Sequence, residues 1–565
     1  MATFSNTTLE SLEVGASPVV GHFLQRLRLQ DFFDRFLPPA STGCPEKIPC
    51  SVVLTALVAH LLLARHPLYA IPDWFAGRVP EHLGLQAAEL PWLNDDRLGR
   101  ALERLFAADC ASLLTSLVLH TIGEFAIDTK QFHNDSTTVT FSGDFATQAP
   151  ADQADRPPLI THGYNKDHRP DLKQLLYDVT VSADGAVPVH CKTYDGNTTD
   201  DVTHIDTWSS LHALIGHADF LYVADSKLCS HTNLGFIAGK HGRFLTVLPR
   251  TWKETTWMEQ YVQEHQVAWQ EVRRDQRRGR GEPDNVYEGF EYPQPTSDGY
   301  RLLWYRSSVK QGEDKRTRER CLERFRSWYE TWRSSSKAPR FASEEEALRQ
   351  GEKLLREQRM TAWARMRAQK RQQSSKKQVG PGRPGPNTLY QTTEEIWYEL
   401  SFEEDQEAIQ ADAKCDGLFC LTSNDECLSL KDGLDKYKYQ PFLEKRFEQL
   451  KTVFEVMPMW LKKPERITGL LFIYYVVLLV QALLEREVRQ KMAQQQIKAL
   501  PLYPEQRMTS QPSAELVLAA FEGLRRHRLC SPAGETLHTF HDPLSPVARQ
   551  LLLLLDLLPS PYGPS

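Results

Sequence analysis

The residues FLYVADSKL, 220–228, determine which architecture we expect for the middle of this chain. Phe220 to Ala224 are apolar and bounded by polar residues, a pattern that is typical of a short buried strand. The strand ends on a carboxylate, Asp225. Aspartate is favoured where a strand gives way to a turn or a helix, so a turn or cap is the ordinary explanation of this residue taken alone. A functional role requires that other carboxylates converge on the same place.

The segments on either side of this strand alternate between strand and helix patterns. Residues 173–194 contain two apolar runs around Asp184-Gly185, which is a strong signal for a hairpin. The order along the chain is strand, hairpin, helix, strand, helix, strand, and it predicts an α/β sheet with an antiparallel start and parallel crossovers. The segments are 126–142, 173–194, 204–215, 220–224, a helical stretch, and 243–250.

Length and composition divide the chain further. A chain of 565 residues is too long for one hydrophobic core, so we expect two to four domains. The expected parts are a helical N-terminal module over 1–125, the first part of the α/β core over 126–250, a charged, largely helical insertion over 251–410 that ends near a Pro/Gly loop at 379–387, the second part of the core with an acidic helix over 411–500, and a helical tail over 501–565.

Cysteine usage and hydropathy narrow the cellular setting. Ten cysteines are spread along the chain without a C-x-x-C pair, which favours a reducing cytosol over a disulfide scaffold or a zinc ribbon. The N-terminus lacks the basic and apolar regions of a secretory signal. Residues 470–480 are eleven apolar residues, short of the roughly 20 that span a bilayer, so we expect a buried core helix and no membrane partner.

The net charge of the chain, −6 at pH 7, does not by itself indicate a nucleic-acid partner. Positive charge is nevertheless concentrated in two segments. Residues 273–280 contain five arginines, and residues 353–383 contain ten Lys or Arg against one acid, Glu357. Clustered cations neutralise phosphates and release counterions, which favours nucleic-acid binding. A solvated helix face or a linker explains the same charge equally well.

A second aspartate lies in the predicted sheet. The segment QFHNDSTTVTF, 131–141, places Asp135 in the first strand, and Asp225 ends a later parallel strand. Open α/β sheets build their sites at the carboxyl ends of such strands. Two close carboxylates are costly unless they share a proton or bind a cation, and Mg²⁺ prefers oxygen ligands of this kind.

A third carboxylate is offered by the helix that begins near Pro441. Seven residues are two helical turns, so Glu444 and Lys451 share one face about 10 Å apart, with Glu448 one turn from Glu444 as a satellite. That spacing suits a carboxylate at a metal and an ammonium at the next phosphate. An exposed charged helix face is the alternative.

These motifs together resemble those of the DDE-type insertion-sequence transposases of the YREK class. The resemblance is carried by HNDSTT (133–138), VADSKLCS (223–230) and Tyr437-x2-Gln440-x3-Glu444-x6-Lys451. The segments GYNKDHRPDLKQ (163–174) and DGNTTD (195–200) are also similar to segments of one branch of that class. The resemblance covers most of the chain and is weakest within 251–410 and beyond 500.

The resemblance implies a fold and a set of site residues. The fold is an α/β, ribonuclease-H-like mixed sheet flanked by helices, interrupted by a largely helical insertion and preceded by an all-helical module. The catalytic triad is Asp135, Asp225 and Glu444, holding two Mg²⁺ (or Mn²⁺). Residues in contact with transposon-end DNA are Tyr437 and Lys451, while Gln440 stands where the family has Arg, so that Lys438 or Arg446 would replace that contact.

The implied activity is metal-dependent cleavage at inverted-repeat ends, followed by transfer of the 3′-OH into target DNA. The implied partners are double-stranded DNA ends and target DNA, and a second copy of the chain in a synaptic homodimer. The implied location is the bacterial cytoplasm, at the nucleoid when acting. Two alternatives stay open: a DNA-binding relic without turnover, and a metal-dependent nuclease without strand transfer. His133 and Cys229 flank the acids, and we interpret both as packing residues.

Overall fold

A computed structural model describes most of the chain and divides it into two compact units. The first unit comprises Met1–Thr246 and Asp435–Ser565, and the second comprises Val247–Leu434. The described residues are 7–39, 46–64, 67–143, 145, 156–166, 169–276, 283–334, 339–456, 461–557 and 561–563, with the side chains of 452–456 left out.

The helices and strands of these residues follow in chain order. The helices are α1 Ser17–Arg26, α2 Leu29–Phe36, α3 Cys50–Leu63, α4 Ile71–Ala76, α5 Asp95–Phe106, α6 Cys110–Phe125, α7 His204–Ile215, α8 His231–Gly239, α9 Lys253–Glu264, α10 Ser308–Ser334, α11 Glu344–Glu357, α12 Gln406–Ala413, α13 Leu430–Tyr437, α14 Gln440–Val456, α15 Pro464–Gln494, α16 Ala514–Ala519 and α17 Pro546–Leu554. The strands are β1 Thr8–Glu13, β2 Gln131–Phe141, β3 Lys173–Ser182, β4 Pro188–Tyr194, β5 Leu221–Ala224, β6 Arg243–Val247, β7 Gln270–Asp275, β8 Asn285–Glu291, β9 Arg301–Ser307, β10 Ala364–Gln378, β11 Tyr390–Glu404, β12 Leu418–Ser423, β13 Arg525–Cys530 and β14 Thr536–His541.

The central sheet of the first unit has the strand order β4-β3-β2-β5-β6. Strand β3 pairs antiparallel with both β2 and β4, whereas β2 with β5 and β5 with β6 pair in parallel. The predicted order of strand, hairpin, helix, strand, helix and strand is confirmed as β2, β3–β4, α7, β5, α8 and β6. The mixed α/β class follows from the residues alone.

The two ends of the chain meet in a small sheet that the sequence did not reveal. Strand β1 pairs antiparallel with β13, from Thr8 opposite Cys530 to Glu13 opposite Arg525, and β13 pairs with β14. The prediction of an all-helical N-terminal module and of a helical tail was therefore wrong at these strands. Their partners lie more than five hundred residues apart, and local patterns carry no signal for such pairing.

The core of the first unit is built around α15. Every residue from Gly469 to Arg486 is buried, so this helix is covered on all sides. Helices α1, α3, α5, α14, α16 and α17 and strand β4 pack against it. A helix that is apolar all round belongs in a protein core or a bilayer.

Length and composition alone do not separate these two settings. Among the described residues, α15 is long and apolar enough to cross a membrane, and two bent helix pairs meet the same measure together. The buried helix predicted around residues 470–480 is confirmed, although α15 extends well beyond that run to 31 residues. Of its most apolar window, 94% is buried. The bent pairs are Cys50–Leu63 with Leu68–Ala76 and Asp95–Phe106 with Cys110–Phe125.

The second unit is not largely helical, contrary to the prediction for 251–410. Four antiparallel strands form the order β12-β9-β8-β7, and β10 pairs with β11 in a long hairpin. Strand β10 has the sequence ARMRAQKRQQSSKKQ, in which charge masks the alternation of a strand. The predicted Pro/Gly loop is confirmed as the turn between β10 and β11. Of the arginines in 273–280, Arg273 and Arg274 lie in β7 and the others lie outside the described residues.

Candidate active site

Two neighbouring strands bring Asp135 and Asp225 to the same part of the sheet. The parallel ladder between β2 and β5 ends at His133 opposite Val223. Each aspartate lies two residues beyond that pair along its own chain segment. Since the strands run in the same direction, Asp135, which lies within β2 opposite Val179 of β3, and Asp225, which follows β5, lie at the same level of the sheet.

Asp225 serves the turn after β5 and also carries charge at this edge. Its Oδ1 accepts a hydrogen bond from the Lys227 amide at 2.9 Å, and its carbonyl accepts from the Thr246 hydroxyl at 2.6 Å. Burial raises the pKa of Asp225 above its usual value, and the nearby Asp200 adds to that rise. The turn explanation therefore holds for Asp225, and its environment also contains a second carboxylate, Asp200.

Asp135 has the electrostatic environment of a carboxylate held among others. Burial raises the pKa of Asp135 to about 6, the Lys166 ammonium opposes this shift, and Asp225 reinforces it. Its side chain remains 24% exposed, so the carboxyl group still reaches solvent. Burial and a neighbouring like charge both disfavour the ionised form of this carboxyl group. A nearby cation would stabilise that form.

Lys166 supplies such a cation in this structure. Its Nζ lies 3.4 Å from Asp135 Oδ1, 3.0 Å from Asp200 Oδ2 and 2.6 Å from the Ser136 carbonyl. Ser136 Oγ donates to Asp200 Oδ1 at 2.7 Å. Burial lowers the pKa of Lys166, but Asp135 and Asp200 outweigh it and the pKa is raised. Sequence reasoning assigned neither Lys166 nor Asp200 to the site, although both lie in the two segments that carried part of the resemblance.

Helix α14 brings Glu444 to the same place. Leu443, Phe447 and Leu450 are buried along one side of α14, and this leaves Glu444 exposed. Asp135 and Glu444 line one open cleft of about 500 Å³. The other residues that line this cleft are Ser136, Thr137, Lys166, Phe447, Glu448 and Lys451.

The charges of all three predicted acids act on Tyr437. It is half-buried at the end of α13. Burial raises the pKa of Tyr437 to about 12, and the charges of Asp225, Glu444 and Asp135 contribute to that rise. The phenol therefore lies within electrostatic reach of the whole triad. Lys438, the next residue, is also half-buried.

Gln440 occupies a different place from the one predicted. Instead of facing DNA, it is buried, its Oε1 accepts from His133 Nδ1 at 2.9 Å, and its Nε2 donates to the Asn134 carbonyl at 3.3 Å. These bonds fasten the start of α14 to β2 beside Asp135. His133 is buried against Tyr439, in agreement with its interpretation as a packing residue.

Arg446 is likewise an interior residue, so its prediction as a DNA contact was wrong. Only 2% of its side chain is exposed. Its guanidinium donates to the Gly185 and Ala186 carbonyls at 3.0 Å each and pairs with Glu485 at 3.0 Å. Arg446 lies two residues after Glu444, a rotation of about 200° around the helix axis, which separates the exposed Glu444 face from this buried one.

A further carboxyl lies buried behind the site and was missed in the sequence. Asp178 on β3 is fully buried, opposite Ser136. It accepts hydrogen bonds from Asn134 Nδ2 at 2.9 Å and from the Thr207 hydroxyl at 2.9 Å. Burial raises the pKa of Asp178 to about 7 against these two donors. The segment YDV gave no sign of this role, because an aspartate inside an apolar run is recognisable only from its partners.

The chemistry of these donors suits a hard divalent cation, whereas their present arrangement does not form a finished site. Among the residues that the structure describes, no three His, Cys, Asp or Glu side chains are grouped so as to hold a metal ion. The Lys166 ammonium nevertheless stands between Asp135 and Asp200, as a positive charge to which two carboxylates already turn. Carboxylate oxygens of this kind are the ligands that Mg²⁺ and Mn²⁺ take.

Comparison with known proteins gives one family and several solved structures. Residues 9–119 match the family described as Domain of unknown function (DUF4277), a range that ends before the cleft residues. No curated protein matches the sequence. The chain is similar to a piggyBac transposase synaptic complex with hairpin DNA, at 10% identity and a TM-score of 0.27, over 54% of this chain and 61% of that chain.

Two structures of the Mos1 transposase are similar at a still lower level. A Mos1 mariner paired end complex with Mn has 12% identity and a TM-score of 0.14, over 40% of this chain and 66% of that chain. A pre-cleavage Mos1 transpososome has 10% identity and a TM-score of 0.14, over 40% of this chain and 76% of that chain. These likenesses are too small to carry an argument, so the function proposed below rests on the residues of this chain.

Proposed function

We propose that this chain is a DNA transposase with a ribonuclease-H-like core, in which Asp135, Asp225 and Glu444 form the catalytic centre. One observation carries the proposal: Asp135 of β2 and Glu444 of α14, some three hundred positions further on, line one cleft with Lys451, and Asp225 follows the strand that pairs in parallel with β2. A cluster of exposed charges without a function would not require a buried strand or a helix, α14, that is hydrogen-bonded to it. The order and spacing of the same residues match the DDE pattern of the YREK class.

Several residues that line the cleft have a role in this proposal, together with Asp225 and Tyr437, which are not among its lining residues. Asp135, Asp225 and Glu444 would hold divalent cations, which when bound activate water and stabilise the leaving 3′ oxygen of a phosphodiester. Lys451 lines the cleft two helical turns beyond Glu444, where its ammonium meets the next phosphate of the backbone. Tyr437 offers a phenol that stays protonated at neutral pH and donates to a phosphate oxygen. The substrate would be double-stranded DNA, brought together by two copies of the chain.

Lys166 has two partners to release when a cation binds. Its ammonium neutralises Asp135 and Asp200 in the absence of metal. If Asp135 held a divalent cation, the Lys166 ammonium would lose this partner and would be available in the cleft as a further phosphate contact. Before the substrate binds, the Lys166 ammonium therefore reduces the repulsion between the carboxylates of Asp135 and Asp200.

The experiment that tests the proposal is metal-dependent nicking of the DNA that borders the coding sequence. Purified protein with Mg²⁺ or Mn²⁺ should nick a labelled duplex that contains this border, and joined products should follow when target DNA is added. The variants Asp135→Asn, Asp225→Asn and Glu444→Gln should each lower the nicking rate by on the order of 10² to 10³ or more. Asn at 225 keeps the oxygen that accepts from the Lys227 amide, so the turn survives.

The control is Asp201→Asn, which removes one exposed carboxylate beside Asp200 without touching the cleft. It should nick at the rate of the unchanged protein. Nicking by the three triad variants at the rate of the unchanged protein would refute the catalytic assignment.

A DNA-binding relic is the second candidate, and the position of Lys166 favours it. An ammonium between the acids and a buried Gln440 at the position of the family's arginine are both expected of a site that no longer turns over. The same assay decides between the two: binding of the border DNA without nicking, under conditions in which an active transposase cuts its own ends, supports the relic.

A further inference from the structure

The hairpin of β10 and β11 belongs to the second unit, and both faces of its outer part are exposed. Its root is packed, since Ala364, Met366 and Leu400 belong to a hydrophobic cluster with Phe325 of α10 and Leu355 of α11. Beyond the root, every side chain of residues 369–377 and 391–396 is exposed. We call residues 369–397 the arm. Ten residues of β10 lie in it, a reach of about 33 Å at the usual rise of a strand.

An arm of this kind is unusual for a ribbon that serves only its own fold. Successive side chains of a strand point to opposite faces, so continuous exposure means that neither face is covered. A two-stranded ribbon without a packed face is marginally stable in water. The length of the arm and its full exposure therefore indicate a surface that is covered when a partner binds.

The charges of the arm change along its length. Near the root the cations are paired, Arg367 with Glu403 and Arg371 with Glu399 at 3.0 Å, and Arg365 pairs with Asp405 at 2.5 Å. Residues 374–393 contain three cations and no acid. Within the described part of the chain, those three cations, Lys376, Lys377 and Arg383, take part in no ion pair. The outer half of the arm thus carries uncompensated positive charge on a protein whose net charge is −6.

The tip of the arm is narrow and carries one long side chain. The turn is closed by the Val379 amide, which donates to the Leu389 carbonyl at 2.9 Å. Gly380 and Gly382 have φ values of +99° and +138°, which glycine adopts without strain. Residues 380–386 read GPGRPGP, so Arg383 is the only side chain there larger than proline.

We propose that the arm binds double-stranded DNA, with Arg383 in the minor groove and Lys376 and Lys377 on the phosphates at either side. Lys376 and Lys377 are adjacent in β10 and therefore point to opposite faces of the ribbon, towards the two backbones that border a groove. A narrow minor groove has an enhanced negative potential that attracts an inserted arginine, and prolines at the tip of such elements pack against base steps. This proposal rests on the proposed function for its choice of DNA as the polyanion.

The first test measures how DNA binding by the full-length chain depends on salt. The variant with Lys376→Gln, Lys377→Gln and Arg383→Gln should reduce the slope of log K against log salt by about 2 to 3, since each phosphate contact contributes about 0.9. The matched control replaces Arg365, Arg367 and Arg371 of β10 with Gln, the same change of net charge on the same hairpin. Its slope should change far less, because carboxylates already neutralise those three.

The second test identifies the groove. Duplexes of A·T pairs, of G·C pairs and of inosine·C pairs differ in the minor groove, where only guanine carries an amino group. The unchanged protein should bind the A·T and inosine·C duplexes more tightly than the G·C duplex. Arg383→Gln should abolish that difference. A preference that persists in Arg383→Gln would overturn the minor-groove assignment.

The outcomes separate this proposal from the proposed function. Equal slopes for the arm variant and the unchanged protein, in a protein that nicks DNA in an Asp135-dependent way, overturn the arm alone. An arm-dependent slope without such nicking overturns the catalytic proposal and supports the arm. A chain that binds no duplex at all overturns both. Equal Tm values for the arm variants and the unchanged protein establish that the fold is intact.

Discussion

Asp225 is a turn residue whose carboxylate charge also acts on neighbouring residues. One oxygen caps the turn through the Lys227 amide, while its charge acts on Asp135 and Tyr437. Sequence motifs pointed to Asp135, Asp225 and Glu444 as candidate site residues, because strand ends and a helical spacing are local features. They missed Lys166, Asp200 and Asp178, whose roles depend on loops and strands that meet only in the folded chain.

Lys166 tests whether the acids are prepared for a cation. Lys166→Met leaves Asp135 and Asp200 without their ammonium, so Tm in EDTA should fall, and Mg²⁺ should raise Tm by more than in the unchanged protein. The measurement is thermal unfolding with EDTA and with millimolar Mg²⁺. Lys192→Met, which removes an exposed partner of Asp206, is the control and should show no added response to Mg²⁺. An equal response to Mg²⁺ in Lys166→Met and the unchanged protein would contradict this account.

Asp178 predicts a dependence of stability on pH. Burial raises its pKa from the ordinary aspartate value of 3.8 to about 7 in the folded chain, so the folded state holds this proton more tightly than the unfolded chain. The stability it contributes is complete below about pH 4 and is lost as pH rises through 7. Asp178→Asn does not titrate, so its free energy of unfolding relative to the unchanged protein should rise by about 1–3 kcal/mol between pH 5 and pH 8. Urea denaturation at both pH values measures this, and a constant difference would refute it.

At the scale of elements, the attachment of α14 is what completes the cleft. The sequence predicted the start of this helix near Pro441 and its apolar side correctly, since both are local patterns. It misplaced Gln440 and Arg446, because a motif gives the spacing of polar residues and not which of them faces the sheet. Gln440 is bonded to His133 and Asn134 of β2, and Arg446 to the turn between β3 and β4.

Arg446 should therefore matter for stability more than for DNA binding. Arg446→Met leaves Glu485, which is 1% exposed, without its closest cation, and should cost about 3 kcal/mol of unfolding free energy. Lys445→Gln removes a half-exposed cation 3.5 Å from the same carboxylate and should cost less than about 1 kcal/mol. Chemical denaturation of both variants measures the difference. Similar costs would mean that Arg446 is not the principal partner.

The strands of the second unit mark where local reasoning failed at this scale. Strands β10 and β11 carry charged or polar residues at most positions, and an apolar period of two is confined to the root, where Ile396, Tyr398, Leu400 and Phe402 alternate with other residues. Their pairing is supported at the root by the cluster around Phe325 and Leu400. Cores that form from residues far apart in the chain leave no trace in a short window of sequence.

For the whole molecule, the setting of α15 gives a prediction about solubility. This helix meets the length and composition of a membrane span, yet the elements of its own unit cover it on all sides. We therefore expect the chain to purify without detergent and to remain in the aqueous phase when a detergent solution is warmed to separate. Partition into the detergent phase would show that α15 is exposed to lipid instead.

The central claim is that Asp135, Asp225 and Glu444 gather around divalent cations. The most direct measurement is the anomalous scattering of Mn²⁺ in crystals of the chain, grown with DNA from the border of its coding sequence. We predict one or two Mn²⁺ peaks coordinated directly by oxygens of these three residues, with the Lys166 ammonium displaced from Asp135. Mn²⁺ peaks that are absent from this cleft, with Lys166 still bound to Asp135 and Asp200, would contradict the account.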